Sequence, residues 1–84
     1  MQIEKDKKYI ISLKTIEEYK ELLKIVPWYD GTGTRDWIEY PDDNSFAVRV
    51  ENGEIQKCDS FNNYKNNIDY KDHIFITMAD LNNL

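Results

Sequence analysis

The chain has 84 residues, a single cysteine, a single histidine and a formal net charge of −5. A chain of this length forms one domain with a small core. Cys58 cannot form an internal disulfide, because it is the one cysteine of the chain. A structural zinc site needs about four Cys or His ligands, and Cys58 and His73 provide two. We therefore expect one domain over residues 1–84, in a reducing compartment, with no metal, no cofactor and no catalytic residues.

The hydropathy of the chain also argues against a membrane protein. No segment approaches the roughly 20 apolar residues that a membrane-spanning helix needs. Residues 1–8 are polar and charged, so they lack the apolar centre of a signal peptide. The sequence therefore predicts a cytoplasmic protein without membrane association.

The first predicted elements are a strand and a helix. Residues 9–13 are a short run rich in strand-forming side chains, and Ile10 would point away from the core face, as in a central strand. Thr15 and Glu18 have the spacing of a capping box, in which each side chain accepts a hydrogen bond from the other residue's backbone N–H. Pro27 is expected to end the helix, because a residue that precedes proline avoids the α conformation. The expected buried residues are Tyr9, Ile11 and Leu13 on the strand, and Ile16, Tyr19, Leu22, Leu23 and Val26 on the helix.

The middle of the chain combines irregular segments with a clear hairpin. Residues 30–34 have the composition of a loop, residues 37–40 could form a short edge strand, and residues 41–44 a turn. From residue 46 the side chains alternate, and Asn52-Gly53 is the strongest short signal for a hairpin turn. The return strand is expected at residues 54–58. In this pattern Phe46, Val48 and Val50 face the core, and Ala47, Arg49 and Glu51 face outward.

The last third predicts three short elements. Asp59 or Ser60 would cap a single helical turn that ends at Asn66-Asn67. Residues 73–77 form a strand with Ile74 and Ile76 on the core face, and residues 77–81 begin another capped helix. The order of elements predicts an α+β fold, with a small, mainly antiparallel sheet of three to five strands and one main helix packed on one face.

Few residues have the type and spacing of a catalytic or ligand-binding motif. Gly31 and Gly33 lack the remaining residues of a phosphate-binding loop, so an ordinary loop is the simpler interpretation. His73 lies beside Asp72, but a single histidine gives no convincing catalytic triad. Cys58 is interpreted as a small sheet residue, since only Lys57 nearby in sequence would lower a thiol pKa.

The negative charge is concentrated in the middle third. Residues 30–59 contain eight acids and three bases, a net charge of −5 that equals the net charge of the whole chain. Direct binding to nucleic acid normally uses a basic surface, so it is disfavoured, whereas an acidic surface suits a basic partner. Trp28, Trp37 and Tyr40 also lie in or near this segment, either covering one end of the core or anchoring a partner.

A series of features along almost the whole chain resembles short proteins that bacteriophages and prophages encode. The features include a strand leading into residues 14–18, a second Trp with Tyr40-Pro41, the hairpin at residues 48–53 and a final strand running into Asp80-Leu81. The resemblance implies an accessory protein of a mobile element. Such proteins include inhibitors of host defence, for example anti-CRISPR proteins, many of which are small, acidic and non-enzymatic.

Two hypotheses follow, together with a structural alternative. In the first, the protein inhibits a host protein with a basic surface, such as a nucleic-acid-handling defence effector, by imitating a phosphate backbone. In the second, residues 31–35 sequester a nucleotide signal, with Arg35 or Arg49 on its phosphate. The third is a homo-oligomer that pairs through an exposed sheet edge. The partner-binding residues of the first hypothesis are Asp36, Trp37, Glu39, Tyr40, Asp42, Asp43, Glu51 and Glu54.

Overall fold

The structure, a computed structural model, describes residues 1–31 and 46–82. In these ranges four strands form one mixed sheet with the order β3-β2-β1-β4. β1 pairs antiparallel with β2 and parallel with β4, and β2 pairs antiparallel with β3. This confirms the predicted α+β fold. The elements are β1 (Tyr9–Leu13), α1 (Ile16–Leu23), β2 (Phe46–Glu51), β3 (Glu54–Ser60), α2 (Phe61–Lys65), a 3-10 turn (Ile68–Tyr70), β4 (Ile74–Thr77) and α3 (Met78–Asn82).

The larger core lies on the face of the sheet covered by α1 and α3. Tyr9, Ile11 and Leu13 contribute to it from β1, as the alternation predicts. Their burial and that of Tyr19 on α1 are almost complete, so this core supplies most of the apolar area that stabilises the domain. Its other buried members are Leu22, Val26, Trp28, Phe46, Val48, Val50, Ile55, Ile76, Met78 and Leu81.

A smaller core lies on the opposite face. Ile10, Ala47 and Tyr64 are buried together there, and Tyr64 comes from α2. The prediction that Ala47 faces outward is therefore wrong. Ala47 points away from the larger core, but α2 covers that face and Ala47 is buried. Ile10 does point away from the larger core, and β1 is a central strand as expected. The sheet is thus covered on both faces near its centre.

The cap of α1 differs in one bond from the predicted capping box. Thr15 Oγ1 accepts from the Glu18 N–H at 3.1 Å as expected, but the Glu18 carboxylate accepts from the Lys14 N–H at 2.8 Å. The helix also ends at Leu23, before Pro27. Pro27 has no N–H to bond the Leu23 carbonyl, and the last turn instead tightens, with the Ile25 and Val26 N–H groups both donating to Leu22 O.

The β2–β3 hairpin forms as the Asn-Gly signal predicts. Asn52 and Gly53 have φ angles of 58° and 74°, the two positive values that a type I′ turn requires. β3 continues to Ser60, beyond the expected end at Cys58. The pairing shifts between Arg49 and Val50, because Arg49 pairs with Lys57 while Val50 pairs with Ile55. This bulge lets Ile55 and Cys58, three residues apart, both contact the larger core.

The end of the chain repeats the arrangement of its beginning. Ser12 on β1 is paired with Thr77 on β4, and each strand leads directly into a helix on the larger-core side. Thr77 donates its backbone N–H to Asp80 at 2.8 Å. Ser60 caps α2, since its hydroxyl oxygen accepts a hydrogen bond from the Asn63 N–H. Ile74 and Ile76 on β4 face the larger core, as predicted. The strand begins at Ile74 where residue 73 was expected.

Candidate functional site

The end of the β2–β3 hairpin carries alternating charges on the face opposite the larger core. Arg49 and Glu51 lie two residues apart on β2 and form an ion pair at 3.1 Å. Lys8, just before β1, approaches the same Glu51 carboxylate at 3.6 Å. These cations hold the pKa of Glu51 below its ordinary value, with the hydrogen bond from Arg49 as the largest cause. The charge of Glu51 is therefore partly balanced.

The opposite strand contributes a second acid and a further base. Glu54 pairs directly with Glu51 across the hairpin, and Lys57 pairs with Arg49. Each of these two pairs places like charges opposite one another. Such pairs destabilise the pairing of β2 with β3 unless neighbouring charges compensate. Asp59, further along β3, accepts hydrogen bonds from the Ser60 N–H and the Asn63 side chain, both at 2.7 Å. Asp59 thus holds the start of α2.

The segment after α1 runs beside the start of β3 and presents an aromatic side chain. Trp28 is buried and its indole N–H donates to Tyr19 Oη at 3.0 Å. Tyr29 is 54% exposed, although its N–H donates to the Ile55 carbonyl at 3.0 Å. Trp28 therefore covers the core, and the neighbouring Tyr29 is the exposed aromatic residue. Tyr29 is not among the residues predicted from the sequence to bind a partner, although a buried Trp28 in an extended segment implies an outward neighbour.

The structure locates two of the eight predicted partner-binding residues. Glu51 and Glu54 lie together at the hairpin end, paired across the turn. The predicted loop from residue 32, the possible edge strand at residues 37–40 and the turn at residues 41–44 lie outside the described residues. So do the remaining predicted binding residues, which are Asp36, Trp37, Glu39, Tyr40, Asp42 and Asp43.

The described residues closest to that segment are fixed at the hairpin. Trp28 bridges to Ile55 near the turn, and the Gly31 N–H donates to the Trp28 carbonyl at 3.1 Å. At the other end, Phe46 begins β2 and pairs with Ser60. In the chain, the predicted binding segment thus follows a residue held near the hairpin turn and precedes the start of β2, which is at the opposite end of the hairpin. We call Tyr29, Glu51 and Glu54 the hairpin-end surface.

His73 and Cys58, the remaining candidate catalytic or metal-binding residues, pack against other side chains of the fold. His73 is 5% exposed in its side chain, its Nδ1 lies 3.0 Å from Asp72, and its ring packs edge-on against Tyr70. The hydrogen bond with His73 lowers the pKa of Asp72. Cys58 is half-buried and packs against the larger core. Over the part of the chain that the structure describes, three or more potential metal ligands are nowhere grouped together.

The nucleotide hypothesis finds little support at Arg49. Its side chain is about three-quarters buried, with 23% exposed, and its guanidinium is bonded to Glu51. A phosphate would have to displace this carboxylate before it could use the Arg49 fork. Arg35, the other proposed phosphate ligand, lies outside the described residues.

Comparisons with known proteins leave the site to be interpreted from its own chemistry. Searches of protein-family models, curated proteins and solved structures found no match to this chain. In the two described ranges, the helices are too short and too polar to cross a bilayer.

Proposed function

We propose that this is a non-catalytic binding protein that inhibits a host protein by occupying a basic surface. The observation that carries the proposal is the charge distribution, since residues 30–59 carry a net −5 from eight acids and three bases. Such a surface attracts a positively charged partner over long range and orients it on approach. The resemblance to phage accessory proteins narrows the proposed partner to a nucleic-acid-handling defence effector of the CRISPR type.

The binding surface in this proposal is the acidic segment at residues 36–43 together with the hairpin-end surface. The unbalanced charge belongs mostly to that segment, because residues 32–45 contain four acids and only one base, a net of −3. Glu51 contributes less than its formal charge, since Lys8 and Arg49 lie beside it. Glu54 is the stronger contributor at the hairpin end.

Tyr29 supplies a candidate anchor next to these charges. It is a large aromatic side chain, more than half exposed, on a backbone held to β3 by hydrogen bonds. Tyr is enriched among residues that dominate binding energy, because it gives a rigid apolar surface with a polar tip at low entropic cost. A fixed backbone reduces that cost further.

The test is capture of the partner and its release by competing anions. The immobilised protein is incubated with host lysate, eluted in steps of increasing salt, and the eluted proteins are identified by mass spectrometry. The candidate partner is then purified, and heparin is added as a mimic of the phosphate backbone. We expect salt-dependent binding that heparin displaces, because both proposed surfaces act through charge.

Matched variants separate the acidic segment from general charge effects. Reversing Asp42 and Asp43 to Lys should weaken binding about tenfold, since two charges at an interface are worth more than about 1 kcal/mol together. Reversing Asp6 and Asp69, both exposed and outside residues 30–59, changes the net charge equally and should have little effect. Binding that ignores salt and survives the Asp42 and Asp43 reversal would contradict the proposal.

A further inference from the structure

A half-open cavity of about 400 Å³ lies beside the hairpin turn, and its lining does not include Tyr29, Glu51 or Glu54. It forms where the first residues of the chain, the segment after α1, the hairpin turn and α3 meet. Ile3, Val26 and Leu81 form apolar walls, and Gly53 closes the side at the turn. Cavities of a few hundred Å³ with mainly apolar walls are the usual size of small-molecule sites.

The rim of the cavity contains two large apolar side chains that are exposed to solvent. Met1 and Ile25 are 39% and 51% exposed, and both line the cavity. They belong to a group of five large apolar side chains that are exposed in the described residues. An apolar ligand in the cavity would remove part of this surface from water, at about 25 cal/mol per Å² buried.

Lys5 contributes a positively charged side chain to the cavity wall. Its stem packs beside Gly53, where an added Cβ would lie 3.2 Å from Lys5 Cγ. Ion pairs in the described residues join the neighbouring Lys7 to Glu4 and Lys8 to Glu51, and none of them includes Lys5. The lining also contains no carboxylate among the described residues, and Gln2 adds an uncharged amide. The cavity therefore favours an anion over a cation.

We propose that this cavity binds a small amphipathic anion, such as an aliphatic carboxylate of medium chain length. Its apolar body lies against Ile3, Val26 and Leu81, and its carboxylate accepts hydrogen bonds from the Lys5 ammonium. The surrounding charge permits this, since residues 1–24 contain six bases and five acids although the whole chain is acidic. The size of the cavity favours a small molecule over a peptide helix.

The experiment is an amide-resolved NMR titration of the intact protein with three probes of equal chain length: decanoate, decanol and decylammonium. Decanoate should give saturable shifts at Lys5, Ile25, Gly53 and Leu81. Decanol should bind several-fold more weakly, and decylammonium should not saturate, because only the carboxylate complements Lys5. Equal binding of decylammonium, or shifts spread over both faces of the sheet, would overturn the proposal.

Two variants and one control place the head group. Lys5→Met keeps the apolar stem and should weaken decanoate binding about fivefold to tenfold, the loss expected for one exposed charge-assisted hydrogen bond. Lys65→Met removes the same charge on α2, across the sheet, and should leave the affinity unchanged. Should Lys5→Met fold poorly, Ile25→Glu at the exposed rim gives a second test and should abolish decanoate binding. Unaltered decanoate affinity in either cavity variant would refute the assignment.

The outcome is separable from that of the proposed function. The cavity and the acidic segment use different residues, and decanoate binding is measured without a protein partner. Partner capture that persists in Lys5→Met, with decanoate binding lost, would show two independent sites. The variant in which Asp42 and Asp43 are reversed should lose partner capture but bind decanoate as the unmodified protein does.

Discussion

Replacing Gly53 with alanine tests whether the hairpin turn fixes the register of the sheet. Gly53 has a φ angle of +74°, in the left-handed region that costs an L-residue roughly 1–2 kcal/mol. Alanine restricts the unfolded chain more than glycine, which returns about 0.4–1 kcal/mol. The added Cβ would also lie 3.2 Å from Lys5 Cγ, so the lysine stem must shift. We expect a net loss of about 1 kcal/mol.

The assay is urea unfolding followed by tryptophan fluorescence, to which Trp37 and the buried Trp28 both contribute in every variant, so the variants are compared by their midpoints. A domain of this size loses roughly 1 kcal/mol of stability per molar urea, so the midpoint for Gly53→Ala should fall by about 1 M. Gly53→Asn should recover part of the loss, because asparagine adopts the left-handed region more readily than alanine.

Gly31→Ala is the matched control, because Gly31 has a similar φ of +77° and no atom of the described residues would lie within 4 Å of an added Cβ. The Gly31 N–H donates to the Trp28 carbonyl in an isolated turn, whereas Gly53 lies between two paired strands. Gly31→Ala should therefore cost less than Gly53→Ala. If Gly53→Ala were as stable as the unmodified protein, or less destabilised than Gly31→Ala, the role given to the turn would be refuted.

Four further predictions concern the helices and the titrating groups. Tyr64→Phe removes the hydrogen bond from Tyr64 Oη to the Lys57 carbonyl at 3.0 Å and should lower the free energy of unfolding by about 1 kcal/mol in urea titrations. Burial raises the pKa of Tyr64 above its ordinary 10.0, so its stabilisation is complete below pH 10 and is lost as the pH rises further; Tyr64→Phe should flatten this alkaline limb. Thr15→Ala removes the cap of α1 and should cost about 1 kcal/mol in thermal unfolding followed by circular dichroism. The pKa of Asp72 lies below its ordinary 3.8 because of the His73 hydrogen bond, so its stabilisation is present above pH 3.8 and lost below; Asp72→Asn should weaken the acid dependence.

Local signals in the sequence predict the elements that depend on near neighbours. The positions of Thr15 and Glu18, the buried stripe of α1 and the Asn52-Gly53 turn act over a few residues, so the chain itself specifies them. The cap of α2 at Ser60 is specified in the same way. Boundaries are less well determined, as the early end of α1 before Pro27 shows.

Long-range pairing has no comparable local signal. β4 pairs parallel with β1, although more than sixty residues separate Ile11 from its partner Ile76. The position of α2 over Ala47 follows from this arrangement of strands and from the length of β3, and neither is written in the residues near Ala47. The bulge that turns Ile55 and Cys58 to the same face likewise depends on the pairing with β2.

The candidate site shows the same division between composition and geometry. The surplus of acids in residues 30–59 is readable from the sequence. The balance of Glu51 by Lys8 is not, because that contact depends on β1 lying next to β2. Tyr29 becomes a candidate only when Trp28 is known to be buried.

The arrangement of the two cores limits where a partner can bind on the described residues. α1 and α3 cover one face of the sheet, and Tyr64 covers Ile10 and Ala47 on the other. A partner therefore cannot reach the centre of the sheet without displacing a helix that contributes to a core. The hairpin end differs, because Tyr29 is more than half exposed and Glu51 and Glu54 are half-buried, while Val50 and Ile55 beside them are buried. Binding at this end would leave both cores intact, and so requires no unfolding of the domain.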